Sequence, residues 1–97
     1  MEIFINDKKY NFVYKGFGAQ YTYETITGET FSGTTSRAIH LLIYSTLLYC
    51  NQDDFSLSIS EFNEWLYEHP AEESQMVEII AREFARRTAA SDSKKKE

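Results

Sequence analysis

Residues 15–31 read KGFGAQYTYETITGETF, and the structure that this stretch adopts decides the fold class of the chain. Its opening Gly16-Phe17-Gly18 would suit a phosphate loop, its tyrosines and threonines favour a strand, and its Thr27-Gly28 is typical of a helix end. The phosphate interpretation fails because the stretch lacks a third glycine, a P-loop Lys-Ser/Thr pair and a following βαβ unit. A strand and a helix remain.

The residue types and their spacing point in different directions within this stretch. A helix would place Phe17 and Tyr21 on one side, with Gly28 as its C-cap. The opposite side of that helix would carry Ala19, Tyr23 and Ile26. Intrinsic propensity instead favours a strand, because most of the following residues are β formers: Tyr21, Thr22, Tyr23, Thr25, Ile26 and Thr27.

Composition excludes several classes of protein. A chain of 97 residues forms one small domain. Its net charge of −5, without a basic stripe, argues against a nucleic-acid ligand. The single cysteine, Cys50, forms no internal disulfide and suits a reducing cytoplasm. The longest apolar run, residues 38–50, is too short to cross a bilayer, so we expect a soluble intracellular protein that binds no membrane.

The N-terminal sequence predicts an antiparallel β-hairpin. Ile3 and Ile5 recur at the two-residue period of a strand, and so do the aromatic residues at 10, 12 and 14. Asn6-Asp7 between them is good turn chemistry.

Residues 36–51, SRAIHLLIYSTLLYCN, predict a helix with Ser36 as its N-cap. Apolar residues lie on every side of the helical wheel, which is the pattern of a central helix buried on all sides. The alternative is that part of this helix faces another chain.

Two further helices follow. Ser58 and Glu61 form a capping box that starts a helix ending near Glu68. Pro70 suits the first position of the next helix, with acidic residues in its first turn. The residues on the apolar face of that last helix are Met76, Val77, Ile80, Ala81 and Phe84, and its predicted ion pairs are Glu78–Arg82 and Glu83–Arg87.

These elements together predict an α+β domain over residues 1–90. An N-terminal antiparallel β-hairpin packs on a bundle of about four α-helices. The lysine-rich residues 91–97 have nothing to bury and are expected to form a disordered tail.

No set of residues in the sequence indicates catalysis, a cofactor or a metal. His40 and His69 have no His or Cys at metal-ligand spacing, and His40 is expected to pack inside the helix bundle. Cys50 has no basic neighbour that would activate its thiol. We therefore expect a protein that is not an enzyme.

The order of these features resembles the small tail assembly chaperones of long-tailed bacteriophages and prophages. The similarity continues through the apolar helix, the capped helix with its proline turn, and the amphipathic last helix, so it spans about 90 residues. The matching residues in the first third are Ile3, Ile5, Asn6, Asp7, Lys8, Tyr10, Phe12, Ala19, Glu24, Ile26, Thr27, Gly28 and Phe31. In that family the segment 17–27 is helical, and the resemblance therefore favours the helix for this stretch.

The resemblance also implies a function. Tail assembly chaperones coat the long tape measure protein, keep it soluble and recruit tail tube subunits that displace them. They act in the host bacterial cytoplasm and are absent from the finished virion. Candidate partner-binding residues on this interpretation are the apolar and aromatic side chains Leu41, Tyr44, Leu48, Tyr49, Trp65 and Tyr67, whose alternative role is ordinary core packing. The acidic charge with a basic end also allows self-association.

The lysine run 94–96 raises one more hypothesis. Many members of the family are also made in a longer, frameshifted form whose extension binds the tail tube protein, and a lysine run suits an A-rich slippery sequence. The alternative is a charged solubilising terminus.

A function of another class also fits the acidic charge and the helical bulk. A small bacterial regulatory or adaptor domain, such as an antitoxin, would share both features. A DNA-binding version would need a basic recognition helix, and the basic residues of the last helix are mixed with acids.

Overall fold

The computed structural model describes residues 1–32 and 35–95, with side chains except those of Asp53 and of residues from Thr88 onward. The elements are β1 (Glu2–Ile5), β2 (Lys8–Asn11), α1 (Gly16–Thr27), α2 (Ser36–Asn51), α3 (Ile59–Glu68) and α4 (Pro70–Lys95), with a single 3₁₀ turn at Gln52–Asp54. This order confirms the predicted α+β class, with a hairpin followed by four helices.

The hairpin forms as predicted. Its strands pair antiparallel with Ile3 opposite Tyr10. Asn6 and Asp7 take φ values of 52° and 66°, the left-handed pair that a tight two-residue turn needs for strands of right-handed twist. The Phe12 amide donates to the Met1 carbonyl at 2.7 Å, which carries the pairing beyond β2. One face of the hairpin is therefore buried with a two-residue period.

The segment 16–27 is the helix α1, so the helical spacing and the resemblance predict it correctly and strand propensity does not. Ala19 and Tyr23 are buried on the side of α1 that packs against α2. Thr25 and Thr27 satisfy their hydroxyls by donating to the Tyr21 and Tyr23 carbonyls at 3.0 and 2.7 Å. Tertiary burial thus overrides the weak local preference for a strand.

Helix α2 lies at the centre of the domain, as predicted. Leu42, Ile43 and Leu47 are completely buried. Two polar residues are buried with them, and each hydroxyl donates to the carbonyl four residues earlier: Ser45 to Leu41 and Thr46 to Leu42, both at 2.7 Å. Because those bonds stay inside the helix, α2 can be enclosed without an unsatisfied hydroxyl.

The predicted N-cap of α2 is wrong by one residue. Thr35, not Ser36, takes the extended conformation, and its hydroxyl accepts from the Ala38 amide at 3.1 Å. Ser36 is already the first helical residue. With Thr35 as the cap, Ala38 is the third helical residue. The hydroxyl of a cap residue reaches the free backbone amide at that position.

Helices α3 and α4 begin and meet as predicted. The Glu61 amide donates to the Ser58 hydroxyl at 3.2 Å, and the Ser58 amide donates to the Glu61 carboxylate at 3.0 Å. Helix α3 ends at Glu68 and α4 starts at Pro70. The predicted ion pairs of α4 are present, with Arg82 and Arg87 at 2.7 and 3.3 Å from Glu78 and Glu83.

Helix α4 is assigned to Lys95. The predicted division between a domain over residues 1–90 and a disordered tail over residues 91–97 stays a prediction. Once a helix has formed, each further residue adds a backbone hydrogen bond at little cost, so helical backbone can run past the last residue that packs. Lys96 and Glu97 lie outside the described residues.

Gly28 should be required for the end of α1. Its φ is 73°, its amide donates to the Glu24 carbonyl at 2.8 Å, and no atom lies near the position of an added Cβ. Gly28→Ala should therefore lower the free energy of unfolding by about 1 kcal/mol through backbone strain alone. Urea unfolding measures this change. The control is Gly16→Ala, where a Cβ makes ordinary contact with Tyr14, and an equal loss there would contradict the account.

The capping box should stabilise α3 measurably. Ser58→Ala should lower the free energy of unfolding by about 1 kcal/mol, because the Glu61 amide loses its partner. The control is Ser60→Ala, an exposed position inside the same helix. Thermal or urea unfolding measures both variants. Equal stability of Ser58→Ala and Ser60→Ala would contradict a stabilising role of the capping box.

The box should also depend on pH. Hydrogen bonds from the Ser58 amide and hydroxyl hold the pKa of the Glu61 carboxyl below its usual value. A pKa that is lowered in the folded state means that the stabilisation is present above the usual pKa of a glutamate and is lost as the pH falls through the lowered pKa. The stability difference between the wild type and Glu61→Gln should therefore shrink on acidification.

Candidate functional site: an apolar groove along α4

An open groove lies between α4 and the residues of α1, α2 and the loop that joins them. Its volume is about 440 Å³. The lining residues are Gln20, Phe31, Ser32, Ile39, Val77, Ile80, Ala81 and Phe84. Most of these side chains are apolar, so the groove offers a surface that water solvates poorly.

One side of the groove is a regular strip of α4. Val77, Ile80, Ala81 and Phe84 occupy the i, i+3, i+4 and i+7 positions of one helical face. Ile80 is buried, Val77 and Phe84 are half-buried, and Ala81 is exposed. The small Ala81 side chain leaves a depression in the middle of the strip. Seven residues of helix span about 10 Å, so the strip matches two turns of a helix lying beside it.

Stacked aromatic rings close one end of the groove. The Phe31 and Phe84 rings lie nearly parallel with centroids 6.0 Å apart. Tyr14 packs against Phe84 at 5.8 Å, and Tyr23 packs edge-on against Phe31 at 5.4 Å. These contacts join the hairpin, α1, the loop and α4, so this end of the groove is fixed by the fold.

A polar contact positions Gln20 at the rim. Its side-chain amide donates to the Tyr14 hydroxyl at 3.2 Å. Burial raises the pKa of Tyr14, so the phenol stays neutral around pH 7 and accepts this bond. The rim residue is therefore held in place without placing a charge in the groove.

Two exposed aromatic side chains form a ridge on α1. Phe17 is 84% exposed and Tyr21 is 69% exposed. They are four residues apart, so they share one side of the helix. The ridge, defined as Phe17 and Tyr21, is an exposed aromatic surface on the helix that also supplies Gln20 to the groove lining.

A hydrogen-bonding contact between His40 and Glu73 joins α2 to the first turn of α4. The His40 Nε2 lies 2.7 Å from the Glu73 carboxylate, and both side chains are about one-third exposed. The expectation that His40 packs inside the bundle needs this correction: its ring reaches the surface because Glu73 offers it a hydrogen-bond partner there. This contact helps to fix α4 against α2, and thus the width of the groove.

The six predicted partner-binding residues fall into different environments. Leu41 is buried in the core and Leu48 is half-buried. Tyr44 is half-buried, and its hydroxyl donates to the Leu57 carbonyl at 2.7 Å. Tyr49 is 41% exposed and lies against Gly18 of α1. None of these four lines the groove.

The two predicted residues of α3 lie on a different surface. Trp65 is half-buried, with its ring parallel to that of His69 at a centroid distance of 4.2 Å. Tyr67 is 88% exposed. Tyr44 and Trp65 both contact Phe62, with centroids 5.9 Å away in each case, so these two are brought together by the core.

Sequence reasoning missed the groove itself. The sequence predicts that Val77, Ile80, Ala81 and Phe84 lie on the apolar face of α4, but it places the candidate partner-binding residues elsewhere. Periodicity identifies such a face but does not say how far its neighbours cover it. The i, i+3, i+4, i+7 spacing can be read from the sequence. The positions of Phe31 and Ile39, which cover part of this face, cannot.

Two searches of the described residues find no site. Among the side chains that the structure describes, no group of three or more His, Cys, Asp or Glu is placed to hold a metal ion. None of the helices in that part of the chain combines the length and the hydropathy needed to cross a membrane.

Comparison of the chain with protein-family models, curated proteins and solved structures finds no match.

The contact between Gly18 and Tyr49 predicts that Gly18→Ala destabilises the wild type but stabilises a Tyr49→Ala variant. A Cβ on Gly18 would lie 2.3 Å from the Tyr49 ring, so Gly18→Ala should lower the free energy of unfolding by about 1–3 kcal/mol. In a Tyr49→Ala background the obstruction is gone, and the same substitution should raise stability through better helix propensity. Urea unfolding of the four proteins in this cycle measures both effects. A loss of equal size in the two backgrounds would contradict the packing of α1 on α2.

Proposed function

We propose that this chain is a non-enzymatic tail assembly chaperone that acts in the bacterial cytoplasm. It binds the tape measure protein through the groove along α4 and helps to recruit tail tube subunits. The resemblance of the sequence to that family supplies the class of partner. The groove supplies a surface of the right kind, because the partner is a long helix with exposed apolar residues.

The single observation that carries the proposal is the open apolar strip of α4. An amphipathic helix binds such a groove through residues spaced like those of the strip itself. The strip accommodates only two turns, so one chaperone would bind weakly. A long partner with many apolar turns offers many such sites, and many copies would coat it.

The ridge on α1 supports the same function. Phe17 and Tyr21 lie on the outer side of α1, away from the core, and bury little surface within the domain. Aromatic residues in such positions are frequent at sites of protein binding. The acidic net charge of −5 keeps the remaining surface hydrated.

Filling the groove should weaken binding about tenfold without unfolding the chain. Ala81→Gln places a longer polar side chain in the depression of the strip, at a position that is exposed and tolerates the change. Co-expressed with a tape measure protein, the wild type should keep that protein soluble and co-purify with it. The variant should co-purify about tenfold less, which corresponds to a loss of about 1.4 kcal/mol.

The matched control is Ala85→Gln, an exposed alanine of the same helix outside the groove lining. It should co-purify like the wild type, and both variants should unfold at the wild-type temperature. Equal binding by Ala81→Gln and the wild type would contradict the proposed site. Failure of the folded wild type to bind at all would contradict the proposed function.

A further inference from the structure

The backbone groups of the β-hairpin divide into those that pair the two strands and those that form its outer edges. The Phe12 amide donates to the Met1 carbonyl at 2.7 Å, and the Met1 amino group donates to the Phe12 carbonyl at 3.1 Å. Hydrogen-bonded and non-hydrogen-bonded pairs alternate along antiparallel strands. The N–H and C=O groups of Ile3 therefore point toward β2, whereas those of Glu2 and Phe4 point away from it.

The outer edge of β2 is covered by side chains of the same chain. The Asn11 amide donates to the Asn51 side-chain oxygen at 3.1 Å, and the Asn51 side-chain amide donates to the Asn11 carbonyl at 3.0 Å. The Asn51 side chain thus takes the place of a further strand. Lys8 and Lys9 add protection, because lysines on an edge strand oppose pairing with another chain.

The outer edge of β1 has none of this protection. Its sequence EIFI contains no lysine or proline, and its regular pairing with β2 has no bulge. Within the part of the chain that the structure describes, the outward backbone groups of Glu2 and Phe4 have no hydrogen-bond partner. An open edge of this kind is a template for a further strand.

Space for such a strand lies beside β1. Two open clefts run along it, the first lined by residues 1–4 and the second by Ile5 and Asn6. Trp65 of α3 borders both clefts. The side chains of α3 therefore approach this edge without closing it.

We propose that the outer edge of β1 pairs antiparallel with the same edge of a second copy of this chain. The two hairpins would form a four-stranded sheet about a two-fold axis at Ile3, with Glu2 of each copy opposite Phe4 of the other. Each of these two pairs exchanges two backbone hydrogen bonds, so every outward group of Glu2 and Phe4 is satisfied. This dimer does not depend on the function proposed for the groove along α4.

The exposed side chains of β1 suit the same register. Phe4 is 62% exposed, and the two Phe4 rings would be diagonal neighbours, at a spacing that aromatic side chains bridge. Each Phe4 would also lie between Lys9, its partner within the hairpin, and Glu2 of the second copy. Opposite charges thus flank each ring, and the edge is complementary to itself, as a two-fold interface requires.

The net charge gives this dimer a distinctive dependence on salt. Each copy carries a charge of −5, so two copies repel each other. Salt screens that repulsion and leaves backbone hydrogen bonds and apolar contacts in place, so added salt should strengthen the dimer. An association of the lysines at 94–96 with the carboxylates of another copy would instead weaken with salt.

Sedimentation and amide exchange of the whole chain test the pairing. Strands of four residues bury little surface, so we expect a weak dimer, and concentrations up to about 1 mM are needed. The average mass should rise from monomer toward dimer with concentration, and should rise further with salt. Exchange of the Glu2 and Phe4 amides, followed by NMR, should slow as the dimer forms, whereas the Lys9 amide on the opposite edge should be unaffected.

Proline variants separate the two edges. Glu2→Pro removes one outward N–H from each copy and leaves the bonds to β2, since proline is tolerated at the first residue of a strand. The loss of two of the four hydrogen bonds should raise the dissociation constant roughly tenfold. Lys9→Pro removes an outward N–H from β2 and should dimerise like the wild type. Both are compared near 1 M salt, where the screening length of about 3 Å suppresses their difference in net charge.

Each of the other outcomes would overturn the proposal. A monomer at every concentration and salt would show that the edge does not pair. A dimer in which the Glu2 and Phe4 amides exchange at the monomer rate would place the contact elsewhere. Dimerisation that salt weakens, or that both proline variants weaken equally, would likewise exclude pairing through β1.

Discussion

The rest of the structure depends on the enclosure of α2. A chain of 97 residues has little core to share, and this helix takes the centre of it, with Leu42, Ile43 and Leu47 fully buried. Enclosure requires that the Ser45 hydroxyl form its hydrogen bond within the helix. It also requires a residue without a Cβ at Gly18, where α1 packs closely against the Tyr49 ring. The hairpin, α1, α3 and α4 are arranged to cover this one helix.

Covering α2 leaves other apolar surface open. Among the described residues, no further layer covers the outer side of α1, where Phe17 and Tyr21 lie, and the strip of α4 is covered only in part. Phe31 covers one end of the strip through its contacts with Tyr23 and Phe84, and the remainder forms the groove. The site proposed for a helical partner is thus what one central helix and its first layer leave exposed.

The sequence predicts those parts of the fold that local chemistry determines. The turn at Asn6-Asp7, the box at Ser58 and the start of α4 at Pro70 each follow from a few neighbouring residues, and all three are confirmed. Helix α1 is different, since its residues prefer a strand and only its burial against α2 makes it helical. Local signals can also misplace a helix boundary by one residue: the N-cap of α2 is Thr35, whereas the sequence predicts Ser36. The groove was not predictable, because periodicity identifies apolar faces without showing which of them stay uncovered.

Hydrogen exchange of the chain, alone and bound to the tape measure protein proposed as its partner, tests the central claim most directly. The claim is that α2 is the protected core and that the strip of α4 is the binding surface. Residues 42–47 should exchange slowest in both states, and the partner should slow exchange along residues 77–84 of α4. A bound complex in which exchange along 77–84 is unchanged would contradict the account.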